Sequence, residues 1–360
     1  MTDNRIDVLV VDDSKVARML LVQLLESDPR IRVIDAVESG QAALEFLEER
    51  RPDVVLMDIQ MPRLDGFETT RRIMETQPLP IIICTAVTDP KEVATTFRSM
   101  EAGAVACLEK PVAPEHPDHR EQLRSLLETI KLMSEVKVVR RWPRSRSNLA
   151  VTPPRPAVFD PSRKGIRLIG IGASTGGPPV LQTILAGLPK DFAAPILIVQ
   201  HIARGFLSGL VEWLNQTTGW QVHTAAHDCL PLAGHAYLAP DDLHMGVSRS
   251  GRILLTHEEP ENSLRPAVSF LFRSLALVCG PDALGVLLSG MGRDGAAELK
   301  LMKDNGATTI AQDRESSVVH GMPGEAIELG GATHVLPADK IADTLITLVK
   351  RRQAQGGVQT

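Results

Sequence analysis

Short, continuous apolar runs alternate with amphipathic stretches through most of this chain. Ile6–Val11 is the first run, and it ends in Asp12-Asp13-Ser14. A helical pattern follows over 15–26, a second strand over Ile31–Val37 and a second helix over 41–49. Val54–Met57 ends in Asp58, the run 81–84 ends in Thr85, and the run 105–108 ends near Lys110-Pro111. Strands this apolar, separated by helices, predict a parallel sheet covered on both faces. The alternation resumes at 165. Leu168, Ile169 and Ile171 run into Gly172-Ala173-Ser174-Thr175-Gly176-Gly177, after which Val180, Leu181, Ile184, Leu185 and Leu188 fall at helical spacing. The run 194–200 has His201 as the first polar residue past its end, and the run from Ala283 leads into Ser289-Gly290-Met291-Gly292-Arg293-Asp294. Residues 236–256 read as a strand, a turn and a hairpin, a small antiparallel wing on the sheet. The pattern therefore predicts an α/β chain with two doubly wound parallel-sheet domains, at 4–130 and 165–350. Between them, the basic stretch Arg140–Arg146 and the prolines at 153, 154 and 156 predict a flexible linker over 131–164. The polar residues 351–360 read as a disordered tail.

Composition narrows the function. Hydrophobic residues make up 43% of the 360, enough for substantial cores, while 3% aromatic content offers no base-stacking platform. A net charge of −5 argues against nucleic acid as a partner. The four cysteines are scattered without a Cys-x-x-Cys pair, as in a reducing compartment. No signal peptide is visible and no apolar run approaches membrane-spanning length, so the expectation is a cytoplasmic protein without membrane insertion.

The strand ends carry the chemistry, because ligands of such sheets bind at the carboxyl edge. In the first domain Asp12, Asp13, Asp58, Thr85 and Lys110 all fall there. Three converging carboxylates repel one another unless a hard cation sits among them, and Mg2+ suits oxygen ligands of this kind. Asp58 can then attack a phosphoryl donor, with Thr85 and Lys110 holding the phosphoryl oxygens. Val-Val-Asp12-Asp13-Ser, Met-Asp58-Ile-Gln-Met-Pro62 and Glu-Lys110-Pro111 resemble the two-component receiver domain. The resemblance implies a flavodoxin-like fold, Asp58 as phosphoacceptor, and a histidine kinase as phosphodonor. It also implies that Asp13, Asp58 and the backbone carbonyl of Gln60 ligate Mg2+ directly, that Asp12 acts through water, and that Lys110–Pro111 is cis. Cys107 stands where receivers carry Tyr or Phe, which departs from the usual aromatic switch.

In the second domain Gly172-Ala-Ser174-Thr-Gly176 has the Gly-x-Ser-x-Gly spacing of a nucleophile elbow. A phosphate cradle is the competing reading of these glycines. No Lys-Ser/Thr follows them and no Gly-x-Gly-x-x-Gly opens them, which favours the nucleophile. Ser174, His201 and Asp294 share one sheet edge as nucleophile, base and orienting carboxylate. The chain order Ser, His, Asp differs from that of α/β-hydrolases. His320 is a rival base that would restore the hydrolase order. His223, His227, Asp228 and His235 fit no zinc spacing. The backbone N–H of Thr175 is a candidate oxyanion donor.

Gly-Ala-Ser174-Thr-Gly-Gly, Val-Gln-His201-Ile, Leu-Arg-Pro266 and Leu-Ser-Gly-Met291-Gly-Arg-Asp294-Gly resemble the chemotaxis protein-glutamate methylesterase family. The resemblance implies a Rossmann-like catalytic domain with a small antiparallel hairpin. It implies hydrolysis of glutamate methyl esters on methyl-accepting chemoreceptors, with deamidation of receptor glutamines, and no cofactor in this domain. It adds the Met291 N–H as second oxyanion donor. The domain order further predicts that the receiver restrains catalysis until Asp58 is phosphorylated. A non-catalytic adaptor, or an esterase with another substrate, are the competing functions.

Overall fold

A computed structural model of the chain describes residues 5–86, 97, 99–100, 102–112, 115–116, 119–136 and 166–356. It divides into two compact units, Met1–Ser147 and Asn148–Thr360. The expected linker lies outside the described residues from 137 onward; its first residues belong instead to the helix His119–Ser134.

In the first unit β1 (Ile6–Val11), β2 (Ile31–Val37), β3 (Val54–Met57), β4 (Ile81–Thr85) and β5 (Ala106–Glu109) form a parallel sheet in the order β2-β1-β3-β4-β5. β3 and β4 are buried along their whole length, as the unbroken apolar runs predict. Helices Lys15–Leu25, Gly40–Glu49 and Gly66–Thr76 start where Ser14, Ser39 and Asp65 accept hydrogen bonds from first-turn N–H groups. The strand order reverses between β1 and β3, so their carboxyl ends flank a crevice. A Cβ on Gly66 would stand 2.1 Å from the Asp58 carbonyl oxygen, so the loop after β3 folds back tightly on Asp58.

The second unit is built on a seven-stranded sheet in the order β14-β13-β12-β6-β7-β9-β8. Its strands are β6 (Leu168–Ala173), β7 (Ile196–Gln200), β8 (Gln221–Thr224), β9 (His235–Leu238), β12 (Ala283–Leu287), β13 (Thr308–Gln312) and β14 (His334–Leu336), and every pairing is parallel. β10 (His244–Val247) and β11 (Ile253–Thr256) pair antiparallel as a separate hairpin. The expected wing is thus smaller than the sequence pattern implied. β9 joins the main sheet because Ala236 and Leu238 register with Ile196 and Ile198 and bury there.

Helix Val268–Val278 lies directly on β6. Cβ atoms on Gly170 and Gly172 would stand 2.4 Å from Leu275 and 2.3 Å from Val268. The two glycines of β6 therefore let the helix approach, and its N-terminus comes to the carboxyl edge of the sheet. The last helix, Ala338–Gly356, continues through residues expected to be a disordered tail, because buried Ile341, Leu345 and Val349 anchor it at helical spacing. Residues 357–360 lie outside the described residues. Among the described residues no helix is long and apolar enough to cross a membrane.

Candidate functional sites

The carboxyl edge of the first sheet gathers the predicted acids. Ligand oxygens of Asp12, Asp13 and Asp58 lie within 4.8 Å of one another, Asp13 being exposed and the other two buried. Lys110 Nζ reaches Asp12 Oδ2 at 2.7 Å and Asp58 Oδ2 at 2.9 Å. Burial raises the Asp58 carboxyl above its ordinary value, and the Lys110 ammonium opposes this only in part. Burial alone would lower the Lys110 ammonium; its bonds to Asp12 and Asp58 outweigh that and raise it. Oδ2 of Asp12 is fully buried and has no hydrogen bond of good geometry, so Lys110 alone compensates it. An all-oxygen donor set with uncompensated charge, open on the Asp13 side, fits a hard cation such as Mg2+. Thr85 is buried at the end of β4, and its carbonyl accepts Lys110 N at 3.0 Å. Gln60 stands two residues past Asp58 in the same loop. Cys107 is pushed well above the usual thiol range by burial. The cis peptide bond among the described residues is Arg265–Pro266, not Lys110–Pro111; the Lys110 backbone continues the β4–β5 ladder through its bond to Thr85.

In the second sheet β12, β6 and β7 are adjacent, and their carboxyl ends deliver Asp294, Ser174 and His201. The Ser174 N–H donates to Ser289 O at 3.0 Å and the His201 N–H to Ala173 O at 2.9 Å. His201 Nε2 lies 2.9 Å from Asp294 Oδ2. This engages Nε2 with the carboxylate and leaves Nδ1 as the free ring nitrogen. Ser174 Oγ makes no hydrogen bond among the described residues, the loose resting geometry common in unliganded sites. A Cβ on Gly290 would stand 2.8 Å from the Ser174 Cβ, so glycine there brings the Ser289–Asp294 loop against the serine. The N–H groups of Thr175 and Met291 donate to no acceptor among the described residues.

Asp294 is fixed by more than histidine. Its Oδ2 accepts Val268 N at 2.6 Å and its Oδ1 accepts Ser269 N at 3.1 Å, both at the start of helix Val268–Val278. Burial alone would raise this carboxyl; the His201 bond and the helix N–H donors outweigh burial and hold it below the usual carboxylate value. Ser269 Oγ donates to Glu298 at 2.7 Å and accepts Gly295 N at 3.0 Å. Asn262 approaches Asp294 Oδ1 at 3.5 Å from a tight turn in which Asn262 and Ser263 are left-handed, with φ of 53° and 63°. Sequence reasoning missed Val268, Ser269 and Asn262. They lie at least 25 residues from Asp294 along the chain, and only the glycines of β6 hinted that an element would pack so close.

The other histidines make different contacts. His320 pairs through its backbone with Gly290, and its Nε2 is buried without a hydrogen bond. His223 Nε2 faces His235 Nδ1 at 2.9 Å and the rings stack, while His227 accepts Leu255 N at 3.2 Å. Among the described residues the only cluster of three such metal-ligating side chains is Asp12, Asp13 and Asp58.

The profile of the CheB methylesterase family matches residues 169–345, and that of the response regulator receiver domain matches residues 8–120. A protein-glutamate methylesterase/protein-glutamine glutaminase of Nitrosospira multiformis is 53% identical over 350 residues, covering 96% of this chain and 98% of its own. One from Geobacter metallireducens is 52% identical over 349 residues, covering 96% and 100%. The crystal structure of the Thermotoga maritima CheB methylesterase catalytic domain is 40% identical and superposes with a TM-score of 0.50, covering 52% of this chain and 100% of that one.

Proposed function

The chain belongs to the protein-glutamate methylesterase/protein-glutamine glutaminase family, and from that premise we propose that Ser174, His201 and Asp294 are its catalytic triad and Asp58 its phosphoacceptor. It is a receiver-controlled carboxylic-ester hydrolase of chemotaxis adaptation. Its substrates are glutamate methyl esters of methyl-accepting chemoreceptors, and glutamine side chains at the same kind of site. The receiver spans 4–130 and the catalytic domain 165–350, and the enzyme works in the cytoplasm on the receptors' cytoplasmic helices. A histidine kinase of a chemotaxis-type pathway supplies the phosphoryl group.

The observation that carries the triad is the His201–Asp294 contact of 2.9 Å at the edge where β6 delivers Ser174. His201 Nδ1 removes the Ser174 proton as Oγ bonds to the ester carbonyl carbon. The oxyanion forms against the N–H groups of Thr175 and Met291, each worth about 3 kcal/mol of transition-state stabilisation. The ester C–O bond breaks, and the imidazolium returns the proton so that methanol leaves. Water then attacks the acyl-enzyme with His201 again as base, releasing glutamate and Ser174. With glutamine the leaving group is ammonia. Asp294 stabilises the imidazolium throughout and fixes the ring.

In the receiver the Asp58 carboxylate bonds to phosphorus as the donor's bond breaks. The Thr85 hydroxyl and Lys110 ammonium bind the transferred oxygens. Asp13, Asp58 and the Gln60 carbonyl would hold Mg2+, with Asp12 acting through water. Bound there, the ion offsets negative charge on the acids and the phosphoryl group.

The test is methanol release from methylated receptor membranes, with and without a small phosphodonor and Mg2+. Release should rise with phosphodonor, vanish in Ser174→Ala and stay at its basal level in Asp58→Ala. If no methanol appears while Asp58 is phosphorylated, a binding adaptor or a different ester becomes the better reading.

A further inference from the structure

We propose that Gln200 is a positioning residue that clamps the nucleophile strand to the base strand; the inference rests on the triad reading above. β6 and β7 pair in register up to Ala173 and Gln200, and the bond from His201 N to Ala173 O, 2.9 Å, is the last rung of that ladder. Beyond it the two chains part. Ser174 turns into the left-handed Gly176, φ 79°, while His201 enters a loop. The backbone ladder therefore stops one residue short of the pair whose separation governs proton transfer.

The Gln200 side chain extends it. Nε2 donates to Ser174 O at 2.9 Å and to His201 O at 2.8 Å, so both protons of one amide are spent on the two catalytic residues. Gln200 is 6% exposed, so the amide is held inside the fold. The orientation is forced, because the reversed amide would set Oε1 against two carbonyl oxygens. In the observed orientation Oε1 is buried with no hydrogen-bond partner. A buried polar atom left unpaired is costly, and here it accompanies an amide whose other end is fully used. Space for it is also built in. A Cβ on Gly177 would stand 2.4 Å from Gln200 Oε1, so the second glycine of the Gly176-Gly177 pair makes room for the clamp. Ser174 Oγ and His201 share no hydrogen bond at rest, so their alignment depends on how their backbones are held.

The experiment uses the full chain and methylated receptor membranes, comparing wild type, Ser174→Ala, Gln200→Leu and Gln200→Glu. Gln200→Leu should lower kcat roughly 100-fold, the scale of a misplacement near 1 Å, with KM unchanged. Labelling of Ser174 by a fluorophosphonate should slow in parallel, while Asp58 phosphorylation stays as in wild type. Gln200→Glu adds a readout that a merely structural role would not move. Protonated, the new carboxyl still donates one hydrogen bond; ionised, it faces two carbonyl oxygens. Its activity relative to wild type should therefore fall as pH rises. Wild-type kcat in both Gln200 variants, with Ser174→Ala inactive, would overturn the clamp and leave the triad standing. Full activity in Ser174→Ala would overturn the triad and the clamp with it. Should Gln200→Leu not fold, the pH slope of Gln200→Glu decides: a flat ratio to wild type overturns the proposal.

Discussion

One carboxylate, Asp294, serves a histidine and a helix at once. Oδ2 faces His201 Nε2 at 2.9 Å, and the two oxygens together accept the first N–H groups of helix Val268–Val278. Asp294→Asn keeps the shape but replaces an acceptor oxygen by a donor amide, and it should lower kcat on the order of 10³ to 10⁴-fold in methanol release. The same change reads out in stability. The folded-state pKa of Asp294 lies below its unfolded value, so its ionised form stabilises the fold above the ordinary carboxylate range, and that contribution is lost as pH falls through the folded value. In urea unfolding, the gap between wild type and Asp294→Asn should be widest near neutral pH and close on acidification. A gap that widens with acid would refute the assignment. Of the proposed triad, Ser174 and His201 were legible because each is the first polar group past a strand, and Asp294 because it sits in the glycine-rich turn that follows one. Gln200 and Ser269 were not, because a glutamine at the end of a strand or a serine in the first turn of a helix looks in sequence like any polar boundary residue.

Among the elements, the helix His119–Ser134 is tied to the turn after Lys15–Leu25 by Lys131 Nζ on Asp28 Oδ2 at 3.0 Å. The Arg30 backbone N–H on Asp28, together with Arg30 and Lys131, holds that carboxyl at about 2. The stabilisation is complete above the unfolded value of about 3.9 and is lost as pH falls from there toward the folded value. Asp28→Asn should therefore lower the melting temperature of the receiver at neutral pH and have little effect near its acid limit. An equal loss at every pH would mean that packing, not charge, ties the helix down. The parallel strands were legible because both faces are buried and their runs are unbroken. β9 was harder, since His235-Ala-Tyr-Leu alternates like a half-exposed strand, and its place between β7 and β8 depends on partners far along the chain. The end of the last helix was masked by composition: a Gln- and Gly-rich stretch looks disordered until Ile341, Leu345 and Val349 are seen to anchor the helix upstream.

At the scale of the whole molecule, two sheets of the same class each gather polar side chains at a carboxyl edge, acids and a lysine in one, Ser174, His201 and Asp294 in the other. With Asp58 as the proposed phosphoacceptor, phosphorylation acts by shifting the balance between inactive and active forms. A shift of that balance from 1:99 to 99:1 would need about 5.5 kcal/mol of differential stabilisation. In the catalytic sheet the order β12-β6-β7 puts the nucleophile's strand between those of its two helpers. Neighbouring strands stand about 4.8 Å apart, so Asp294 must reach across roughly 10 Å to meet His201. The segment from Leu288 to Asp294 covers that distance and passes over the serine on the way. It works as a ruler: besides Asp294 itself and the glycine at 290 that lets it approach Ser174, what the segment must keep is its length. One residue inserted between Gly292 and Arg293, where a side chain would meet nothing within 4 Å, should leave Ser174 and the sheet in place yet abolish methanol release. Unimpaired release from such an insertion variant, assayed on receptor membranes, would show that the reach is not measured by chain length.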